Sequence, residues 1–368
     1  MKKILIIGNN DVGLYNFRKE LIQRLVSDHY KIVFTVPYGT KVEEIKELGA
    51  EYFPIEINRR GTSIKEDYIT FGKYKSLMTE VKPDLILTYT IKPNIYGGVA
   101  AKQLHLPCIA TITGLGASFQ IGGWKTRYIK ALYKYGISMN KAVFFQNESN
   151  KEFFIKQGLI KRDKAVLVPG SGVNTDHFVP RSSAHDTVNF LFIARIMRAK
   201  GIEEFLEAAK RIKSRYTNTK FQLLGEFEED CYKQQIKELE LRDIVEYLGV
   251  SSDTRNEMAQ ADCIVLPSAY YEGMSNVLLE GASMGLPLIT TDMHGCRETV
   301  EDGKSGFLCE VKDSDSLISA MDRFIALSPE ERRRLGQYGR KKMINEFDRR
   351  FVVERYIKAI REALGEPS

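Results

Sequence analysis

The sequence predicts an α/β protein built from two doubly wound domains, and three observations carry that prediction. At 368 residues the chain exceeds the size at which one hydrophobic core keeps growing, so two cores are expected. Apolar strand-like runs alternate with longer helical patterns in both halves. KILIIG, KIVFTV, LILTYT, PCIATI and AVFF come first, then NFLFIAR, FQLLG, VEYLG, CIVLPS, LPLITTD and GFLCEV. Runs that are continuously apolar, separated by helices, mark parallel sheets covered on both faces. Between the halves, VPGSGVNTDHFVPRSSAHDT (168–187) clusters Gly, Pro, Ser and Asn without any period, which marks a seam. The expected division is a Rossmann-like domain over 1–175 and a second over 186–345, facing each other across a cleft. The last segment, 346–368, includes the helical ERYIKAIREAL and is expected to cross back to the first domain. Ligands in such sheets bind at the carboxyl ends of the strands.

Composition removes several function classes. With 43% hydrophobic and 28% charged residues the chain is globular, neither disordered nor an integral membrane protein. The opening MKKILIIGNND has too short an apolar stretch for a signal peptide and reads as a first strand. No apolar run approaches the roughly 18 to 20 residues that span a bilayer, so a cytoplasmic protein with at most peripheral membrane contact is expected. Cys108, Cys231, Cys263, Cys296 and Cys309 are odd in number and far apart, and read as buried small hydrophobes in a reducing compartment. The histidines are equally scattered, so no metal is expected. A net charge of +6 and the lack of any helix-turn-helix, zinc-knuckle or RNP-like motif argue against nucleic acid.

The phosphate-loop motifs fail one by one. GNNDVGLYN places Gly8 and Gly13 at P-loop spacing, but Leu14 and Tyr15 stand where Lys and Ser or Thr are required. GxGxxG is absent too, and the second strand ends in TVPYG without the acidic residue that holds an NAD ribose. Gly13 is therefore either a tight turn or a backbone opened to a ligand. Asp313-Ser314-Asp315 looks like a metal-chelating DxD, but it precedes LISAMDRFIAL and reads as a helix cap.

The stretch YEGMSNVLLE carries the densest chemistry. Ser275 and Asn276 are cap residues for a helix that Gly285 ends, with Glu272 in the preceding loop and Glu280 inside the helix. Eight residues at helical rise amount to about 12 Å, outside the roughly 5 to 9.5 Å of a glycosidase carboxylate pair. The loop Gly273-Met274-Ser275 leads instead to a helix start whose amides, around Ser275, Asn276 and Val277, form an anion site. Glu280, one turn beyond Asn276, and Glu272 then flank it, each able to accept from vicinal hydroxyls. The ligand this predicts is sugar, diphosphate, ribose and base. In FIARIMRAKG, Arg195 at a strand end and Lys200 before a helix supply cations for the diphosphate as it leaves.

Taken together, ARIMRAKG, YLGV, VLPSAYYEGMSNVLLE and GCRETVEDGKSGFL resemble, in matching order over about 188–345, the carboxyl-terminal donor domain of glycosyltransferase family 4, of GT-B fold. An E-x7-E element preceded by R-x4-K is a fairly specific signature. The resemblance implies that Glu280 holds the ribose, Glu272 the transferred sugar, Arg195 and Lys200 the diphosphate, and the Asn276 and Val277 amides its oxygens, with residues around Val250 lining the base. It also implies a retaining, metal-independent reaction by front-face attack on a UDP-sugar, in which the leaving diphosphate helps remove the acceptor proton. In the first half GLYNFR, KPNIYGGVAAK, TGLG and QNESN resemble the bacterial branch that extends undecaprenyl-diphosphate-linked saccharides for capsule, exopolysaccharide or glycoprotein assembly. That branch suggests Asn16, Arg18, Thr113 and Gly114 as acceptor contacts. Many family members carry a histidine after the PCIATI strand, whereas here Thr113 is followed by Gly114.

From Leu85 to Asn147 there is no acidic residue. In GGWKTRYIKALYKYGISMNK, Arg127, Lys130, Lys134 and Lys141 share one helical face, and Trp124, Tyr128, Ala131 and Tyr135 another. With Lys125 they suit an anionic membrane surface, here the inner face of the cell membrane, although an aromatic side packed into the core is the plainer alternative. The expected activity is thus transfer of a hexose or N-acetylhexosamine to a lipid-diphosphate-linked saccharide. A UDP-sugar epimerase of similar fold and a non-catalytic sugar-nucleotide-binding protein are the rivals.

Overall fold

The computed structural model describes residues 1–57, 64–114, 123–181 and 187–367, without the side chains of 64 and 123–125. Its chain divides into two units, one of 1–171 with 349–368 and one of 172–348. In the first unit seven parallel strands lie side by side in the order β3 (Glu51–Tyr52), β2 (Lys31–Thr35), β1 (Lys3–Ile7), β4 (Leu85–Tyr89), β5 (Cys108–Ile112), β6 (Ala142–Phe145) and β7 (Ala165–Leu167). In the second, six parallel strands run β10 (Glu246–Tyr247), β9 (Thr219–Leu224), β8 (Val188–Ile193), β11 (Cys263–Leu266), β12 (Leu288–Thr291) and β13 (Gly306–Cys309). Each unit is a Rossmann-like α/β sheet, as the sequence predicts.

The central strands are buried along nearly their whole length because helices cover both faces, which is why their sequences are apolar throughout. Register is set by such pairs as Ile4 with Ile32 and Leu85 on either side, and Ile264 with Leu191. In the second unit Phe190, Phe205 and Phe221 meet in one aromatic cluster at centroid distances of 5.3 and 5.9 Å. Two strands have no counterpart in the apolar runs of the sequence: β3 and β7, the short edges of the first sheet, which are only partly buried.

The helix Arg349–Leu364 packs within the first unit. Tyr356 is fully buried there, its ring stacked on Phe144 at 4.3 Å and its hydroxyl 2.5 Å from Thr111 Oγ1. Arg349 donates to the Asn16 carbonyl at 2.8 Å and pairs with Glu20 at 2.9 Å. The second unit closes where the chain enters and leaves it: Val173 N donates to the Phe347 carbonyl at 2.9 Å, and the Thr175 hydroxyl to the Asp348 carboxylate. Asp313 caps the helix Ser314–Ile325 by accepting from the Ser316 amide at 2.9 Å, which accounts for the DxD look-alike.

Tyr356→Ala is expected to destabilise the protein by about 3 to 5 kcal/mol through a large cavity beside Phe144. Tyr356→Phe, which removes only the bond to Thr111, should cost about 0.5 to 1.5 kcal/mol. Urea denaturation of the two variants measures the difference, and equal losses would contradict the packing role.

Candidate functional site

In the second sheet the strand order reverses between β8 and β11, so the loops after these two strands flank the opening in which α/β sheets bind ligands. The loop after β8 carries Arg195, exposed and paired with Glu228 at 3.2 Å, while Ile196 anchors the loop by donating to the Glu226 carbonyl at 2.8 Å. A short 3-10 turn, Arg198–Lys200, then ends at Gly201 with φ +81°. A side chain there would collide with the Pro267 carbonyl, so glycine lets the two loops touch. The contact is sealed by the Ala269 amide, which donates to the Ala199 carbonyl at 2.9 Å. Lys200 thereby forms an ion pair with Glu272, both side chains being only 12 and 15% exposed. Tyr270 lies beneath both cations, its ring centre 4.9 Å from Lys200 Nζ and 6.0 Å from the Arg195 guanidinium.

A second loop, after β12, fixes Glu272 from the other side. The Ser275 amide donates to the Gly295 carbonyl at 2.8 Å, and Gly295, at φ +87°, has room for no side chain because a Cβ would lie 2.7 Å from Glu272 Cβ. This turn is itself braced: the Gly295 amide donates to Glu298 at 2.7 Å, and Arg297 bridges Asp292 at 2.9 Å and the His294 ring at 2.6 Å. Burial, followed by the Arg297 guanidinium, holds His294 below the usual histidine range. Burial, reinforced by the Glu272 carboxylate, pushes the neighbouring Cys296 thiol up to about 12, so it remains neutral packing.

The helix Asn276–Ser283 begins directly behind Glu272 and gives way to Gly285 at φ +77°. Ser275 occupies the cap position with extended backbone, but its hydroxyl makes no cap bond, contrary to the capping expected from sequence. Its amide is instead drawn to Gly295, and the first-turn amides of Asn276 and Val277 have no side-chain cap. Asn276 Oδ1 is buried with no hydrogen-bond partner among the described residues. Glu280 is half-buried one turn on, while Gly273 and Met274 are buried, the latter in the core, so only their backbone can meet a ligand. Val250 is 69% exposed on a turn whose Gly249 carbonyl accepts from the Gly225 amide at 2.8 Å, beside the loop that carries Arg195. Arg195, Lys200, Glu272, Asn276, Val277 and Glu280 thus lie on adjoining loops and one helix start.

The residues singled out in the first unit are placed differently. Gly13 lies in the first turn of the helix Asp11–Ser27, not in a tight turn of a loop, and its amide is taken by Asn10 Oδ1 at 2.6 Å. Arg18 is only 5% exposed and faces inward, its guanidinium 4.7 and 5.7 Å from the rings of Tyr89 and Tyr356. The cavity beside it holds about 10 Å³, room for a single water, so Arg18 presents nothing to a saccharide. Asn16 is exposed, with its carbonyl engaged by Arg349. Thr113 and Gly114 are half-buried just beyond β5, and 115–122 lie outside the described residues.

On the helix Gly123–Ile137, Arg127 and Lys134 are exposed and Lys130 bonds Gln157 at 2.9 Å, while the side chain of Lys125 lies outside the described residues. Lys141 falls beyond the helix end. The aromatic edge turns outward, with Tyr128 43% and Tyr135 48% exposed, because Tyr133 and Ile137 supply the buried face. Among the described residues no helix is long and apolar enough to cross a membrane. Tyr270 and Gly295 were not foreseen; an aromatic beside Glu272 and a glycine after a strand were the only traces of them in the sequence.

Residues 174–342 match the family model "Glycosyl transferases group 1", and residues 3–147 the model "Glycosyl transferase 4-like". The chain is 25% identical over 97% of both chains to an N,N'-diacetylbacillosaminyl-diphospho-undecaprenol alpha-1,3-N-acetylgalactosaminyltransferase of Campylobacter jejuni. It is 28% identical over 77% of both chains to a UDP-Gal:alpha-D-GlcNAc-diphosphoundecaprenol alpha-1,3-galactosyltransferase of Escherichia coli. Among solved structures, a glycosyltransferase of Rickettsia africae superposes with a TM-score of 0.81 at 19% identity, covering 100% of this chain and 99% of that one. Anabaena HepE in complex with UDP and glucose superposes with a TM-score of 0.80 at 16% identity, covering 98% and 100%.

Gly303, at φ +74° with open space around it, provides a reference for Gly295. Gly303→Ala should cost about 1 to 2 kcal/mol from the backbone alone. Gly295→Ala should cost about 1 to 3 kcal/mol more through overpacking against Glu272. Thermal unfolding of both variants checks the difference, and equal losses would mean that Gly295 does not position Glu272.

Proposed function

We propose that this chain, a glycosyltransferase similar to family 4, moves a hexose or N-acetylhexosamine from a UDP-sugar onto an undecaprenyl-diphosphate-linked saccharide. Transfer proceeds with retention, without a metal ion, at the inner face of the cell membrane in bacterial polysaccharide or glycan assembly. One observation carries the donor reading: a helix start without a side-chain cap lies between Glu280 on the helix and the Lys200–Glu272 pair on the loop. The names of the Campylobacter and Escherichia relatives support the lipid-diphosphate acceptor, and HepE supports UDP.

The residues divide the work by charge. The Asn276 and Val277 amides and the helix dipole receive the diphosphate, as helix starts do with anions. Glu280 accepts from the ribose hydroxyls, Glu272 from the sugar hydroxyls, and Val250 offers an apolar surface to the base. As the bond between the anomeric carbon and the diphosphate oxygen breaks, negative charge gathers on the leaving group, where Arg195 and Lys200 stabilise it. The acceptor hydroxyl attacks from the same face and its proton passes to the departing diphosphate, so the configuration is kept. On the first unit, the outward Arg127, Lys134, Tyr128 and Tyr135 suit an anionic bilayer surface, at about 1 kcal/mol per nearby cation.

UDP should raise the thermal stability of the protein more than GDP, ADP or NAD at matched concentration, with or without excess chelator, because a ligand bound only by the native state stabilises it. Glu280→Ala should weaken UDP binding about tenfold or more, the equivalent of roughly 1.4 kcal/mol. A larger shift from GDP or ADP would reassign the base, and loss of the UDP shift on chelation would overturn the metal-free reading. Replacing Arg127, Lys130 and Lys134 together by Ser should reduce sedimentation with anionic liposomes, and unchanged sedimentation would refute the membrane contact.

A further inference from the structure

Lys200 and Glu272 hold each other as an ion pair. The proposed function gives these two groups to different parts of the donor, Lys200 to the diphosphate and Glu272 to the sugar, and the inference below rests on that reading. Their loops have little freedom to separate, since the Ala199 carbonyl is bonded to the Ala269 amide, Gly201 lies against Pro267 and Gly295 lies against Glu272 Cβ. Any exchange of partners must therefore occur in the side chains. Both are largely buried, at 12 and 15% exposure, so their attraction is less screened than that of a surface pair.

We propose that the Lys200–Glu272 pair is a built-in competitor that weakens the product nucleotide relative to the sugar-bearing donor. A nucleoside diphosphate without its sugar must draw Lys200 away from Glu272 and leave that carboxylate, mostly shielded from water, close to its own negative charge. A donor that still carries its sugar draws Lys200 in the same way but brings hydroxyls that donate to Glu272, replacing what the carboxylate loses. Glu272 thereby distinguishes substrate from product, and it favours release of the nucleotide once the sugar has gone. Tyr270, its ring centre 4.9 Å from Lys200 Nζ, faces the ammonium while the pair with Glu272 is intact.

The test is calorimetric binding of UDP to the wild type, Glu272→Gln, Lys200→Met and the double variant, each first checked for native circular dichroism and cooperative unfolding. Glu272→Gln keeps the shape of the side chain and removes its charge, so UDP should bind about threefold to tenfold more tightly, as expected when a competing ion pair is lost. Lys200→Met should weaken UDP, and in the double variant the gain from Glu272→Gln should vanish because no lysine remains to compete for. If Lys200→Met weakens UDP while Glu272→Gln leaves it unchanged or weaker, the competitor role is wrong and the donor site stands. If Lys200→Met leaves UDP binding unchanged, the assignment of Lys200 to the diphosphate fails, and the competitor role falls with it.

Discussion

The hydrogen bond from the Ala269 amide to the Ala199 carbonyl, made possible by the bare backbone of Gly201 under Pro267, is the constraint on which the second unit's chemistry depends. A parallel sheet offers only its strand ends to a ligand, and the loops that leave those ends are free to diverge. Here the loops after β8 and β11 are tied to each other across the point where strand order reverses. Lys200, Tyr270 and Glu272 then occupy fixed places, and the turn at Gly295 closes the arrangement from a third strand end. No metal-ligand cluster of three or more His, Cys, Asp or Glu side chains occurs among the described residues.

Much of this was legible in the sequence, and the exceptions have a common cause. The central strands were readable because burial on both faces makes them apolar without interruption, whereas β3 and β7 lie at sheet edges, are two and three residues long, and carry little such signal. Arg195, Lys200, Glu272 and Glu280 were readable because their charges break apolar surroundings at strand and helix ends. Tyr270 and Gly295 were not, since their roles arise from contacts between loops far apart in the chain. Periodicity divided the Gly123–Ile137 helix into faces but could not say which one packs, and the structure turns Tyr128 and Tyr135 outward. Arg18 illustrates the same limit: the motif supplied a cation, and the helix turned it toward Tyr89 and Tyr356.

In the proposed donor site the two cations meant for the anion are each paired with a carboxylate. Arg195 is matched with Glu228 and Lys200 with Glu272, and the less exposed pair is the one nearer the helix start. A mostly buried charge deprived of its partner is strongly unfavourable, so such pairing is a condition of holding Lys200 in place at all. The helix start needs no comparable provision, because its polarity is dispersed over several amides.

The helix Arg349–Leu364 gives the chain an order of assembly. The second unit is an unbroken stretch, 172–348, inserted between two parts of the first. Every residue of that inserted unit is translated before the helix, so the second unit is complete in sequence before the first. The first unit has made all of its strands much earlier but waits, with Phe144 lacking the Tyr356 ring and Asn16 and Glu20 lacking Arg349, for its final helix to be translated. For most of synthesis the amino-terminal half is therefore the unfinished one, and a nascent chain stalled before residue 349 leaves apolar surface of its older domain open to chaperones.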